Sequence, residues 1–163
     1  MRNWLVLLFF MLAPQAVWAT AQIPEMIKLD GKLQPLFSEP FTVYLAARQS
    51  EIPKLEQFAT DRCSGSWRGY QGHWYIRDQK LYLKELFANP CRESPEPIPL
   101  TTFFPNIDGP VFAEWFSGRL IVPLGKRIRY VHMGYESEYE RYLVFTVERG
   151  RVSNQESTDT RPK

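Results

Sequence analysis

Cysteine, histidine and net charge are all scarce in this 163-residue chain, and each scarcity closes a class of function. Two histidines, His73 and His132, and two cysteines, Cys63 and Cys91, supply no cluster of imidazole and thiolate ligands. No metal site and no cofactor are therefore expected. Lys and Arg number 20 against 18 Asp and Glu, so the chain is close to neutral. Nucleic-acid binding draws on a concentrated basic face, which sets that partner aside and gives no reason for strong attraction to an anionic membrane. No C-x-x-C pair, G-x-S-x-G elbow or glycine-rich anion loop occurs, so the motif-bearing routes to redox, acyl-transfer and phosphate chemistry lack their signatures. Helical periodicity is nearly missing as well.

Long hydrophobic runs are confined to the start. Arg2 is followed by ten uncharged residues from Trp4 to Ala13, then Pro14 and Gln15, then the small residues Ala16, Ala19 and Ala21. A basic start, a short apolar core and a small-x-small exit are the anatomy of a secretory signal peptide over residues 1–21, cleaved after Ala19 or Ala21. A membrane anchor is the alternative, but a spanning helix needs about 20 consecutive apolar residues. The expected product is a soluble periplasmic or secreted protein. Losing Arg2 leaves 19 basic residues, 20 less one, against 18 acidic. In an oxidising compartment the pair Cys63 and Cys91 reads as a disulfide, a free catalytic or redox thiol being the alternative.

What remains reads as one mainly β domain over residues 22–152, an antiparallel sandwich or small barrel built from hairpins, with one short helix at most. Phe41, Val43 and Leu45 alternate with Thr42, Tyr44 and Ala46, and Leu143, Phe145 and Val147 with Val144, Thr146 and Glu148, as in half-buried strands. A helix is expected only from Ser50 through Lys54 to Ala59, with Pro53 in its first turn. A turn at Asp78-Gln79 sets Trp74 opposite Leu83, Ile76 opposite Leu81, Tyr75 opposite Tyr82 and His73 opposite Lys84, one apolar face against another. Turns at Ser117-Gly118 and Gly125-Lys126-Arg127 make residues 111–133 a three-stranded meander. The Pro-rich stretch 89–110 reads as a strap with Phe103 and Phe104 pinned inward, or else as a binding loop. Residues 153–163 are polar and are expected to form a disordered tail.

Two readings of the chemistry follow. The stretch 132–142 holds His132, Ser137 and Glu140, the residue types of a small hydrolase, although a triad is defined by geometry and not by closeness in sequence. His132 reads as packed beside Tyr130, or as a polar group in an aromatic-lined pocket. Aromatic residues are the stronger theme. Trp67, Tyr70, Trp115, Tyr130, Tyr135 and Tyr139, with Arg68, His132 and Glu140, are of the types from which binding surfaces are built. The segments Trp67-Arg68-Gly69-Tyr70, Trp74-Tyr75-Ile76, Lys80-Leu81-Tyr82-Leu83, Glu114-Trp115-Phe116-Ser117-Gly118 and Tyr130-Val131-His132-Met133-Gly134-Tyr135, with Ser137, Tyr139 and Glu140 behind them, resemble small uncharacterised bacterial proteins. That resemblance spans roughly residues 60–152 and implies no activity; its members often lack an export signal. The expectation is a non-catalytic module that binds a protein or an envelope polymer or glycan. The alternatives are an inhibitor or immunity-type protein with one tight partner, and the hydrolase.

Overall fold

A computed structural model describes residues 21–162, so both expected cleavage positions fall at or outside the edge of the described residues. In chain order the elements are β1 (Glu25–Leu29), β2 (Lys32–Leu36), α1 (Pro40–Ala47), α2 (Ile52–Glu56), β3 (Tyr70–Arg77), β4 (Lys80–Ala88), β5 (Glu96–Ile98), β6 (Val111–Phe112), β7 (Gly118–Arg129), β8 (Glu138–Glu148) and β9 (Arg151–Thr158). All nine strands belong to one sheet of order β2-β1-β3-β4-β9-β8-β7, with β5 and β6 both added to β4. The two ends of that order meet. Just past β2, the Phe37 amide donates to the carbonyl of Ile121 in β7 at 2.7 Å, and Ser38 Oγ both donates to the Arg119 carbonyl and accepts from the Ile121 amide. The sheet is thereby rolled into a barrel-like layer around one interior, filled by Ile27, Leu36, Trp74, Leu83, Leu120 and Val147 among others.

The mainly β class is as the sequence indicates, but the helical content and the strand directions differ in detail. Among the described residues there are two short α-helices, where one at most was expected. β1 and β3 run parallel, with Ile27 beside Trp74, because the chain crosses from one to the other through both helices. α2 falls inside the segment expected from Ser50 to Ala59, with Pro53 in its first turn, but it is shorter and Ser50 does not cap it: the N-cap is Glu51, and Ser50 lies in a 3₁₀ turn over Gln49–Glu51. α1 replaces the strand expected at 41–46. Phe41, Tyr44 and Leu45 are buried while Thr42 and Val43 are exposed, a helical spacing that a run of β-branched and aromatic residues disguises as alternation.

The hairpin at Asp78-Gln79 forms in the expected register, with Trp74 opposite Leu83 and Arg77 opposite Lys80. Asp78 and Gln79 both have positive φ, at 50° and 57°, the conformation whose twist matches paired strands. A bulge between His73 and Trp74 then sets His73 opposite Glu85, not Lys84. The disulfide Cys63–Cys91 is present, with its Cα atoms 6.5 Å apart at the open end of this hairpin.

The meander expected over residues 111–133 does not form. β6 pairs with β4, Val111 beside Leu83, and β7 runs unbroken through Gly125. Gly125 takes φ +78° and a bulge between Leu124 and Arg127 absorbs it, so the strand bends where a loop was expected. The Pro-rich stretch behaves as a strap. β5 lies on β4 and Phe103 is buried against Phe41, their rings 5.1 Å apart. Residues 153–158, expected to be disordered, complete β9 and pair with β8 as far as Thr158 opposite Tyr142. Their side chains are almost all exposed, so no apolar pattern announces the strand; its backbone hydrogen bonds make it.

Candidate functional site

The loop that carries the first cysteine turns back on itself, the Ser66 amide donating to the Cys63 carbonyl, and presents two adjacent residues in opposite directions. Trp67 points out, 71% exposed, and Arg68 points in, its side chain 10% exposed. The guanidinium is held by four chain segments at once. Nε donates to the Tyr70 carbonyl at 3.0 Å and Nη2 to the Ile23 carbonyl at 2.6 Å. Nη1 donates to Glu39 Oε1 and to the Tyr135 hydroxyl, both at 2.9 Å. Tyr135 in turn donates to Glu39 Oε1 at 2.9 Å, closing a three-membered ring of hydrogen bonds. Burial works against the charge on Arg68, but Tyr135, Glu25 and Glu39 more than offset it and hold its pKa above the ordinary value. Burial pushes the Tyr135 hydroxyl well above the usual tyrosine range, with Arg68 pulling the other way.

Beneath this knot lies Glu25, fully buried at the head of β1. The parallel register that puts Ile27 beside Trp74 brings Glu25 alongside Gly72 of β3, and the glycine is what makes room. A Cβ at position 72 would stand 2.7 Å from both Glu25 Oε2 and Trp74 Nε1. The Trp74 indole N–H donates to Glu25 Oε2, while Oε1 has no hydrogen-bond partner. Burial raises the Glu25 pKa to about 8, against the opposing pull of Arg68 and of the Trp74 hydrogen bond. Burial thus favours the protonated form of Glu25. Burial together with the Glu25 charge likewise raises Tyr70, whose hydroxyl shares a 2.6 Å hydrogen bond with Thr42 of α1.

The segments that stood out in the sequence do meet: the W-R-G-Y and H-M-G-Y stretches join through Arg68 and Tyr135. The N-terminal residues run between them. The Gln22 amide donates to the Gly134 carbonyl at 3.2 Å, Gln22 Nε2 to the Ser64 carbonyl at 3.1 Å, and the Ile23 amide to the Gly65 carbonyl at 2.7 Å. Phe37 stacks on Tyr135 at 5.0 Å and meets Tyr139 edge-on at 5.7 Å. On the outer side Tyr130 (43% exposed) and Met133 (56% exposed) project from the second arm, with Arg127 over the Tyr130 ring and His132 edge-on to it at 4.4 Å.

Other residues of the expected set lie elsewhere. Tyr70 is core. Trp115 is half-buried, its Nε1 donating to the Pro40 carbonyl and its ring stacked on Phe104, so it belongs to the aromatic packing under α1. Glu140 accepts from the Lys126 amide at 2.9 Å and braces the Gly125 bulge. Ser137 is buried, its hydroxyl accepting from the Val131 amide and donating to the Val131 carbonyl, so it closes its own loop. Among the described residues no three His, Cys, Asp or Glu side chains converge as a metal site, and no helix is long and apolar enough to cross a membrane. The sequence reading passed over Glu25 and Glu39. Glu25 did carry a signal: with Ile27 and Leu29 it lies on one face of an alternating strand, where an acid breaks an apolar stripe. No protein-family model, no curated protein and no solved structure matches this chain.

Proposed function

We propose that this is an exported, non-catalytic interaction module that grips a protein partner with the lip formed by Trp67 on one arm and Tyr130, His132 and Met133 on the other. The observation that carries the reading is the contrast between the two sides of these arms. Inward, Arg68 engages Glu39 and Tyr135; outward, the same part of the molecule exposes Trp67, Ile128, Tyr130 and Met133. Trp, Tyr and Arg are the residues that dominate protein–protein binding energy, and Met adapts to the shape it meets. A projecting lip suits a protein surface better than a small molecule, which needs a concave site. The Cys63–Cys91 disulfide is in keeping with an oxidising compartment. Ser137 and Glu140 both carry structural hydrogen bonds, which weighs against the hydrolase reading.

The test is a photo-reactive phenylalanine analogue placed at position 67 and irradiated in the intact envelope. A single protein adduct that disappears with Tyr130→Ala and Met133→Ala supports the reading, and near-stoichiometric yield would narrow it to an inhibitor or immunity-type role. Cross-links only to glycan, or none that depend on those two side chains, would sink it. The exposed positions are the ones to substitute, because Tyr135 is tied into the knot and its loss would disturb the fold.

A further inference from the structure

Among the described residues, Glu25 is the only acidic side chain buried outright, and one of its oxygens has no partner. Its surroundings come from five segments. β3 contributes the Trp74 indole and the Tyr70 hydroxyl, α1 contributes Thr42 behind Tyr70, and the β2–α1 connection contributes Glu39. The loop before β3 contributes Arg68, and the β7–β8 connection contributes Tyr135 through Arg68. Arg68 is the only cation in this set. With Oε2 accepting from Trp74, the acid proton belongs on Oε1.

Removing that proton leaves a full negative charge with one neutral donor, Trp74. A buried carboxylate with a single neutral donor is costly, and Arg68, the one cation among these groups, offsets that cost by moving closer. Arg68 already spends Nε on Tyr70, Nη2 on Ile23 and Nη1 on both Glu39 and Tyr135, so a turn of the planar guanidinium toward Glu25 strains the whole set, the shared Nη1 bond to Tyr135 included. Tyr135 ties the 130–137 arm to Arg68 and Glu39, with the Gln22–Gly134 hydrogen bond and the Phe37 stack beside it, so losing Arg68 leaves the hydroxyl held chiefly by Glu39 and the arm held more weakly.

We propose that Glu25 and Arg68 form a proton-operated latch: while Glu25 is neutral, Arg68 helps Tyr135 hold the 130–137 arm against residues 22 and 23, and loss of the Glu25 proton draws Arg68 off Tyr135 and loosens the arm. Because that arm carries Tyr130, His132 and Met133, the latch sets the shape of the lip as the envelope's pH changes. This consequence for binding rests on the function proposed above; the latch itself does not.

The experiment needs no partner. Methionine methyl resonances report from Met26, next to Glu25, and from Met133, on the arm, while a carbon-labelled Glu25 carboxyl reports its own titration. His132→Gln is carried throughout, so that the imidazole beside Met133 contributes nothing. Between pH 6 and 9.5 the Met133 methyl is expected to shift with the same midpoint as the Glu25 carboxyl, near pH 8. In Tyr135→Phe the carboxyl still titrates and Met133 no longer follows it; in Glu25→Gln Met133 is flat. A Glu25 carboxyl that titrates near 4.5, or a Met133 response that survives Tyr135→Phe, overturns the latch. If Glu25→Gln does not fold, the wild-type and Tyr135→Phe titrations decide alone. A latch that works in a protein whose position 67 captures no partner would refute the binding role and leave the latch standing.

Discussion

Replacing Arg68 by alanine removes the guanidinium that four chain segments share. Four groups lose a donor: the Ile23 and Tyr70 carbonyls, the Glu39 carboxyl group, which keeps Tyr135 and Thr42, and the Tyr135 hydroxyl. Hydrogen bonds to a charged group are each worth about 1.5–3 kcal/mol, but the groups left behind relax toward water and toward one another, so the four do not sum. Removing one partner from a fully buried ion pair costs about 3–5 kcal/mol, and this part-buried pair, with Glu39 31% exposed, is expected to cost about 2–4 kcal/mol. Tyr135→Phe keeps the stack on Phe37 and deletes one hydroxyl, for about 1–2 kcal/mol. Because Tyr135 bonds both Arg68 and Glu39, the double variant is expected to fall short of the sum of the singles by about 1 kcal/mol. Urea unfolding at pH 7 with the disulfide intact measures all three, and an unchanged urea slope would show that only stability has moved. An Arg68→Ala cost below about 1 kcal/mol would mean that water replaces the guanidinium easily. In that case, or if the two substitutions simply add, the knot holds nothing together.

Stability should fall as pH rises through the neutral range. The folded protein raises Glu25 from 4.5 to about 8, so the folded state holds a proton that the unfolded chain gives up. The contribution is complete below 4.5 and is lost by about 8, at about 1.4 kcal/mol per pH unit; urea midpoints at pH 5 and 8.5 compare the two, and Glu25→Gln should flatten the slope. Gly72→Ala drives a methyl into Glu25 and Trp74, each 2.7 Å away, and should cost about 2–3 kcal/mol in the same assay, whereas an effect near zero would place Glu25 elsewhere. Replacing both Cys63 and Cys91 by serine opens a loop with a sequence separation of 28 and should cost about 3–4 kcal/mol, read by calorimetry. Trp67→Ala, at a side chain 71% exposed, should leave unfolding within about 0.5 kcal/mol of wild type, and a larger loss would show that the indole is packed.

Much of the fold is local, and so it was legible in the sequence. The β3–β4 register follows from two matched apolar faces around a two-residue turn, and the disulfide follows the even cysteine number. The W-R-G-Y and H-M-G-Y stretches stand out by their aromatic and arginine or histidine content, which is visible without coordinates. Where local signals conflict, the reading failed. Phe41, Tyr44 and Leu45 satisfy a helix while their β-branched neighbours suggest a strand, and the packing of Phe41 against Tyr70 and Phe103 settles the matter. At Gly125 the chain had the composition of a turn, yet β8 continues to pair across it because Glu140 caps the bulge from the neighbouring strand.

The sequence by itself thus determined a β-rich, disulfide-bearing domain and the two segments most charged with aromatic and basic groups. Only the tertiary structure decided which side chains of those segments face water. Trp67 and Arg68 are neighbours of comparable size, and nothing between them in sequence says that one is exposed and the other buried. That depends on Glu39, Ile23 and Tyr135, which lie 29, 45 and 67 residues from Arg68 and reach it only when the rolled sheet brings its ends together. A charge is buried where the fold supplies its partners, and those partners are assembled across the sheet, not along the chain.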